Sequence, residues 1–441
     1  MHRFWKAPAR LVCVCAVAVA IRLAGASAQA APGAYGDELR LVIVLTRHGV
    51  RAPLGSNEAL AKYAAKPWPK WETAPAIQTP RGNELIAFMG DYYRQRFLRS
   101  NLLSGDPAAD GPLVFLRADN DQRTLETTRI IGKSLVPVGE PEVHALPSGT
   151  ADPLFRPYKA HVGRPDTALA AAAVLGRMGG DPRNLDRAYA TQLAELKDIL
   201  FGSGVTPPDA SGFNGPSRVS PGEGDYLVKL SGPLRNAEVC IDSFILEYAD
   251  GMPPADVGWG RVDAKVMTDL LTVHDLLFDL TERTFYPAQV DASNLASHIV
   301  DTLEQGALGQ QVPGALGPAG EKVVVLGGHD SNIAAVGGLF GMSWWIAGTQ
   351  ANPTLPGGAM IFELWKRGGQ QDAYYVRTSY VAQTLDQQRD ATPLSLDNPP
   401  ATAPIFVPGC GSAGPNYDAP LDAFVRQARK VIDPSFIAPE P

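Results

Sequence analysis

A chain of 441 residues is longer than one hydrophobic core usually supports, so two domains, or one domain carrying a large insertion, are expected. Hydrophobic residues at 45% are ordinary for a globular protein, and 44 glycines with 38 prolines make it loop-rich without reaching the composition of a disordered chain. A formal charge of −7 with no basic run excludes a nucleic-acid partner, whose capture depends on neutralising phosphates, so any anion must be held by local positive charge.

Residues 1–30 read as a secretory leader. His2, Arg3, Lys6 and Arg10 make a basic start, 11–21 is an apolar run, and Ala26-Ser27-Ala28 or Ala28-Gln29-Ala30 offers a small-residue cleavage site. The run is too short to cross a bilayer and no other segment approaches that length, so the mature chain is expected in the periplasm or outside the cell, off the membrane. Cys13 and Cys15 leave with the leader. In an exported protein the two that remain, Cys240 and Cys410, are expected to pair as a disulfide.

Five apolar residues, 41–45, predict a buried strand that ends where charge begins, in Leu45-Thr46-Arg47-His48-Gly49-Val50-Arg51-Ala52-Pro53. Two guanidiniums and an imidazole thus share one loop at a strand exit. Such a cradle suits a phosphate dianion, and a neutral imidazole within it is a nucleophile able to take the phosphoryl group. An irregular stretch follows, with Trp68 and Trp71. Thr79-Pro80-Arg81-Gly82 then predicts a helix start, with Thr79 as cap, and Leu85, Phe88, Met89 and Tyr92 give its apolar face.

A second strand at 113–116 again ends in charge, from Arg117 to Thr124. From 152 to 286 helical spacing dominates without strand signals, which predicts a mostly α-helical cap inserted into an α/β core formed by 31–151 and 287–441. The core resumes with a helix near 293–303 and a strand at 323–326. Gly327-Gly328-His329-Asp330-Ser331-Asn332 follows and opens an apolar helix. Strands at 360–365 and 374–381 and a terminal amphipathic helix through Leu421, Phe424, Val425, Ala428 and Ile432 complete the chain. The expected class is α/β, with a mixed central sheet flanked by helices.

The string from Arg47 to Pro53 resembles the histidine acid phosphatase family, whose signature is Arg-His-Gly-x-Arg-x-Pro, and the match is complete. Some 280 residues later, Gly328-His329-Asp330-Ser331-Asn332 resembles the family's second signature, Gly-His-Asp-x-Asn. Between them, Asp119-Asn120-Asp121-Gln122-Arg123-Thr124 matches a pattern in which a further arginine meets the phosphate, which implies Arg123 ahead of its neighbour Arg117. The resemblance extends over nearly the whole mature chain and implies an acid phosphatase. Relatives often pair a cysteine in the position of Cys410 with one shortly after it. No such neighbour exists here, which leaves Cys240 as the partner.

What the resemblance implies can be stated residue by residue. His48 would attack in line and become phosphohistidine, its other ring nitrogen fixed by a backbone carbonyl such as that of Gly49. Arg47, Arg51, Arg123 and His329 would spread the charge of the phosphoryl oxygens. Asp330 would protonate the leaving oxygen and then activate water, with activity on the acid side of neutrality. Asp119, His274 and Asn332 would lie in or near the substrate cleft. No cofactor and no metal is expected, since arginines around the histidines repel a cation. The partner is a small phosphate monoester, and a monomer is favoured. Leu54-Gly55-Ser56 stands where phytate-cleaving relatives usually carry basic residues, which favours a sugar monophosphate and leaves phytate open. Two rival readings remain: a phosphate-binding protein without turnover, which would gain nothing from His48 or Asp330, and a phosphoglycerate-mutase-like phosphotransferase, in which an acidic residue or glutamine normally stands at the place of Val50.

Overall fold

The computed structural model describes residues 36–370 and 373–438, so the leader expected at 1–30 lies outside the described residues. Its centre is a seven-stranded sheet in the order β2-β5-β1-β6-β7-β8, with β9 also pairing β7. The strands are β1 (Glu38–Arg47), β2 (Val114–Ala118), β5 (Val323–Gly328), β6 (Ala359–Lys366), β7 (Tyr374–Ala382), β8 (Ala401–Ile405) and β9 (Ala419–Pro420). β2, β5 and β1 run parallel, and β6, β7 and β8 add on antiparallel, so the sheet is mixed.

β1 is apolar from Leu41 to Leu45, where both of its faces are covered. Leu41, Ile43 and Leu45 point to one side, into a core shared with helices, while Val42 and Val44 point to the other. That second face packs on α1 (Pro80–Arg99) and α2 (Gln122–Leu135) through Ile86, Met89, Ile131 and Leu135. Helix α1 starts as its residues dictate: the Thr79 hydroxyl accepts the Gly82 amide at 2.9 Å and Pro80 occupies the first turn, where no amide is needed.

The segment between β2 and β5 supplies α3 (Thr167–Arg177), α4 (Ala190–Phe201), α5 (Pro233–Ala249), α6 (Ala264–Thr281) and α7 (Phe285–Leu308) among its longer helices. A two-stranded hairpin, β3 (Arg218–Pro221) with β4 (Val228–Ser231), sits among them. It escapes the apolar pattern because both strands are short and mostly exposed. The helices have no core of their own. Leu196, Leu234, Phe244, Leu270 and Leu277 belong to the same buried cluster as Leu41, Ile43 and Leu45 of the sheet. α8 (Asp330–Leu339) follows β5, and α9 (Leu421–Val431) closes the chain near the end.

The expected Cys240–Cys410 disulfide is absent and both thiols are free. Cys240 is fully buried inside α5, whose apolar surroundings push its thiol far above the usual range. Cys410 lies in the turn after β8, with its sulfur 3.7 Å from the Val407 carbonyl oxygen. Counting cysteines identified the candidates, but pairing needs their Cβ atoms to face each other, and the helix turns Cys240 into the apolar interior. No helix among the described residues is long and apolar enough to cross a membrane.

Candidate active site

The register of three parallel strands assembles the site. Arg47 pairs with Gly328 across β1 and β5, and Ala118 of β2 pairs with Gly327, so the three chains leave the sheet side by side. His48, His329 and Asp119 are the residues that follow, at the carboxyl ends where an α/β sheet presents its ligand crevice. The His48 amide binds the Gly328 carbonyl at 3.1 Å and the Gly357 amide binds the His48 carbonyl at 3.0 Å, which fixes the loop between β5 and β6. A β-carbon on Gly49 would come 2.8 Å from Ile86, so only glycine lets the loop lie this close to α1.

The cleft beyond these strands has a volume of about 410 Å³ and is lined by His48, Arg51, Arg123, His329, Asp330 and Asn332, among others. The two histidine rings meet edge to face with centroids 5.6 Å apart. His48 Nδ1 lies 2.8 Å from the Gly49 carbonyl, so this nitrogen carries the proton and Nε2 keeps its lone pair. Burial, then the charges of Arg47, Arg51 and Arg123, hold His48 well below its ordinary value of 6.5. Both effects favour the neutral imidazole.

Arg47 is almost fully buried beneath the cleft, where it donates to the Thr354 carbonyl at 2.6 Å and meets Asp330 at 3.1 Å. Arg51 pairs with Asp242 at 3.1 Å. Arg123 donates to Asp121 at 2.6 Å. The Nε atoms of these three arginines are buried and have no hydrogen-bond partner, a donor set that suits the oxygens of an anion. Burial pushes the Asp330 carboxyl up, but Arg47 and His329 pull it further down, so its net position is below the usual carboxylate range.

His329 holds its orientation through Asp119, whose buried oxygen lies 2.7 Å from Nε2. Arg156 donates to the same carboxylate at 2.7 Å, pairs with Asp121, and comes 3.0 Å from His329 Nε2. Asp119, Asp121 and His329 have donor spacing that could hold a metal ion, yet the Arg156 guanidinium contacts all three and stands where a cation would. Asp119 is driven far below its usual range because those hydrogen bonds and charges overcome the cost of its burial.

Not every residue anticipated for the cleft lies in it. His274 is buried in α6, with its Nδ1 2.9 Å from Asp275. Asp119 stands behind His329. Arg117 pairs with Asp152 and stacks over the Phe155 ring at 5.5 Å, away from the cleft that Arg123 lines. Asn332 anchors the loop, accepting the His329 amide at 2.9 Å and donating to the Phe155 carbonyl at 2.7 Å. Asp242 and Arg156 went unnoticed in the sequence, since an acid on an amphipathic helix and an arginine in an irregular loop carry no local signal.

The sequence profile of the histidine phosphatase superfamily (branch 2) matches residues 38–200 and 247–381, and so includes every strand exit of the site. The chain belongs to that superfamily. Phytase AppA of Escherichia coli (strain K12) is 33% identical over 396 residues, which span 87% of this chain and 89% of that protein. Glucose-1-phosphatase of Providencia rettgeri is 27% identical over 374 residues, 84% of this chain and 86% of the other. Among solved structures, Hafnia alvei phytase in complex with myo-inositol hexakis sulphate superposes with a TM-score of 0.82 at 32% identity, over 93% of this chain and 100% of the other. The histidine phosphatase profile leaves out 201–246, the stretch that brings Asp225, Tyr226, Arg235, Glu238 and Asp242 to the cleft.

Proposed function

We propose that this chain is a histidine acid phosphatase that hydrolyses small phosphate monoesters through a phosphohistidine at His48. The observation that carries the reading is the approach of an uncharged, oriented His48, the Asp330 carboxyl and three guanidiniums to one anion-sized hollow. Nε2 of His48 attacks phosphorus in line, the ester P–O bond breaks, and Asp330 delivers a proton to the departing oxygen. In the second half Asp330 takes a proton from water, which attacks the phosphohistidine and releases phosphate. Arg47, Arg51 and Arg123, with His329, carry the charge on the equatorial oxygens throughout.

Asp330 is held ionised by Arg47 in the free site, and the acid role requires a proton. A bound phosphate supplies the remedy: its negative charge neutralises Arg47 and moves Asp330 back toward protonation. Turnover is therefore expected to fall as pH rises past neutrality. The leader pattern at 1–30 supports export to the periplasm or beyond, and 152–286 is read as the cap over the core. Leu54, Gly55 and Ser56 bring no cation to the cleft mouth, which favours a sugar monophosphate over phytate. The test is hydrolysis of p-nitrophenyl phosphate between pH 3 and 8, with an acid-labile phosphate trapped on the protein. His48→Ala should lower kcat/KM by at least about 10³, or about 4 kcal/mol of barrier, and abolish the trapped label. Phosphate bound without turnover by the unaltered protein would make it a binding protein instead.

A further inference from the structure

The cleft continues past the phosphate hollow to a wall formed by the end of α6 and the first turns of α7, where Glu282 and Asp291 face the same space as Asp330 and Ser331. The mechanism uses neither carboxyl. Every cation near this wall already has a carboxylate: Arg156 is held by Asp119 and Asp121, Lys159 by Asp225 at 2.6 Å, and Arg235 by Glu238. Arg283, next to Glu282 in sequence, turns away to Asp279 at 3.3 Å and stacks on the Trp344 ring at 5.0 Å. Among the described residues no salt bridge reaches Glu282 or Asp291. Glu282 accepts only the Thr281 hydroxyl, at 3.1 Å.

The charge inventory is therefore lopsided. Three arginines meet at one end of the cleft, where Arg51 and Arg123 line it and Arg47 lies beneath, and the adjoining wall adds the carboxyls of Glu282 and Asp291 and the hydroxyls of Thr281 and Ser331, with its own cations each held by an acid. A second phosphate placed there would lose its water and gain no counter-charge, which makes such a substrate unfavourable. A sugar hydroxyl fits, because a carboxyl accepts its proton or, when protonated, donates one. Burial pushes both carboxyls up, to about 8 for Glu282, where the charges of Asp291 and Asp330 add to it, and to about 7 for Asp291. The other charged groups of the same cleft are Asp330 on α8, Arg235, Glu238 and Asp242 on α5, Arg123 on α2, and Arg51, Arg156, Lys159 and Asp225 on the loops.

We propose, building on the phosphatase reading above, that Glu282 and Asp291 determine specificity by receiving a hydroxyl-bearing leaving group and turning away one that carries a second phosphate. They belong to the reaction cleft itself, and what the geometry assigns to them is contact with the leaving group.

The experiment compares kcat/KM for glucose 1-phosphate and glucose 1,6-bisphosphate, with phytate alongside and p-nitrophenyl phosphate reporting active enzyme in each preparation. The unaltered protein should prefer the monophosphate by about tenfold or more near pH 7. Asp291→Lys should cut that preference at least about fivefold at any pH, by supplying the missing cation. Glu282→Gln combined with Asp291→Asn should cut it near pH 8, where the native carboxyls carry charge, and leave it unchanged near pH 5, where they are protonated; a merely structural role would show no such split. If the double variant does not fold, each single amide variant is expected to show part of the same shift. Equal use of mono- and bisphosphate by the unaltered protein, efficient phytate turnover, or a preference indifferent to both substitutions would overturn the proposal. No hydrolysis of any substrate, p-nitrophenyl phosphate included, would instead overturn the phosphatase reading.

Discussion

At the scale of single residues the proposed reaction asks opposite things of an imidazole and a carboxyl. His48 must be neutral to attack, and burial with three neighbouring guanidiniums keeps it so. Asp330 must hold a proton to release the leaving group, yet the same guanidiniums favour its ionised form. The proton therefore depends on the substrate's own charge. Asp330→Asn should slow steady-state hydrolysis of glucose 1-phosphate by about 10² to 10⁴, while the burst of p-nitrophenol survives, because nitrophenolate departs without a proton. Equal loss of the first step on both substrates, read by rapid quench, would remove Asp330 from the acid role. His48, Arg47, Arg51, His329 and Asp330 were legible in the sequence because each stands within a few residues of a strand end. Arg156, Asp242, Glu282 and Asp291 were not, because their neighbours in space are far away in the chain.

At the scale of elements, three strand exits and two helix starts are locked together by backbone contacts. The Val50 carbonyl accepts the Thr79 amide at 3.0 Å, and Gly82 packs so closely that a β-carbon there would lie 2.1 Å from that carbonyl oxygen. The clash is with backbone, which has no rotamer to retreat into. Gly82→Ala should therefore destabilise the fold by about 1–3 kcal/mol and also lower kcat/KM, since moving α1 drags the 48–53 loop with it. Denaturant unfolding and an activity assay on the same preparation check both halves, and an unchanged midpoint would show that the helix shifts freely. Helix α1 was legible down to its cap, because Thr79 and Pro80 are local signals. The β3–β4 hairpin was not, because short exposed strands lack the apolar alternation that reveals longer ones.

At the scale of the molecule, one apolar cluster runs from β1 into the helices between β2 and β5, so sheet and helices are expected to unfold together. Buried acids give that unfolding a pH dependence. Glu247 and Glu282 are pushed up to about 8 and Asp291 to about 7, mainly by burial, whereas in the unfolded chain such groups ionise near 4. The folded state thus holds extra protons, and the stability they contribute is complete below about pH 4 and lost as pH rises through about 7 to 8. His48 and His329, both held below 6.5, oppose this only where unfolded imidazoles bind protons, below about that pH. Calorimetry should show a Tm that falls gently from about pH 5 to 6.5, where two histidines partly offset three carboxyls, and by a few degrees more between about 6.5 and 8; a rise over that upper window would show the three carboxyls ionised in the fold. What the sequence determined by itself was everything carried by neighbours along the chain: the apolar runs, the caps, the motifs at strand ends and hence the family. Only the tertiary structure decided that both cysteines stay free, that Arg156 occupies the acidic cluster behind His329, and which acids line the far wall of the cleft. Those outcomes depend on the directions in which side chains from distant segments point, and residue order constrains such directions only after the chain has packed.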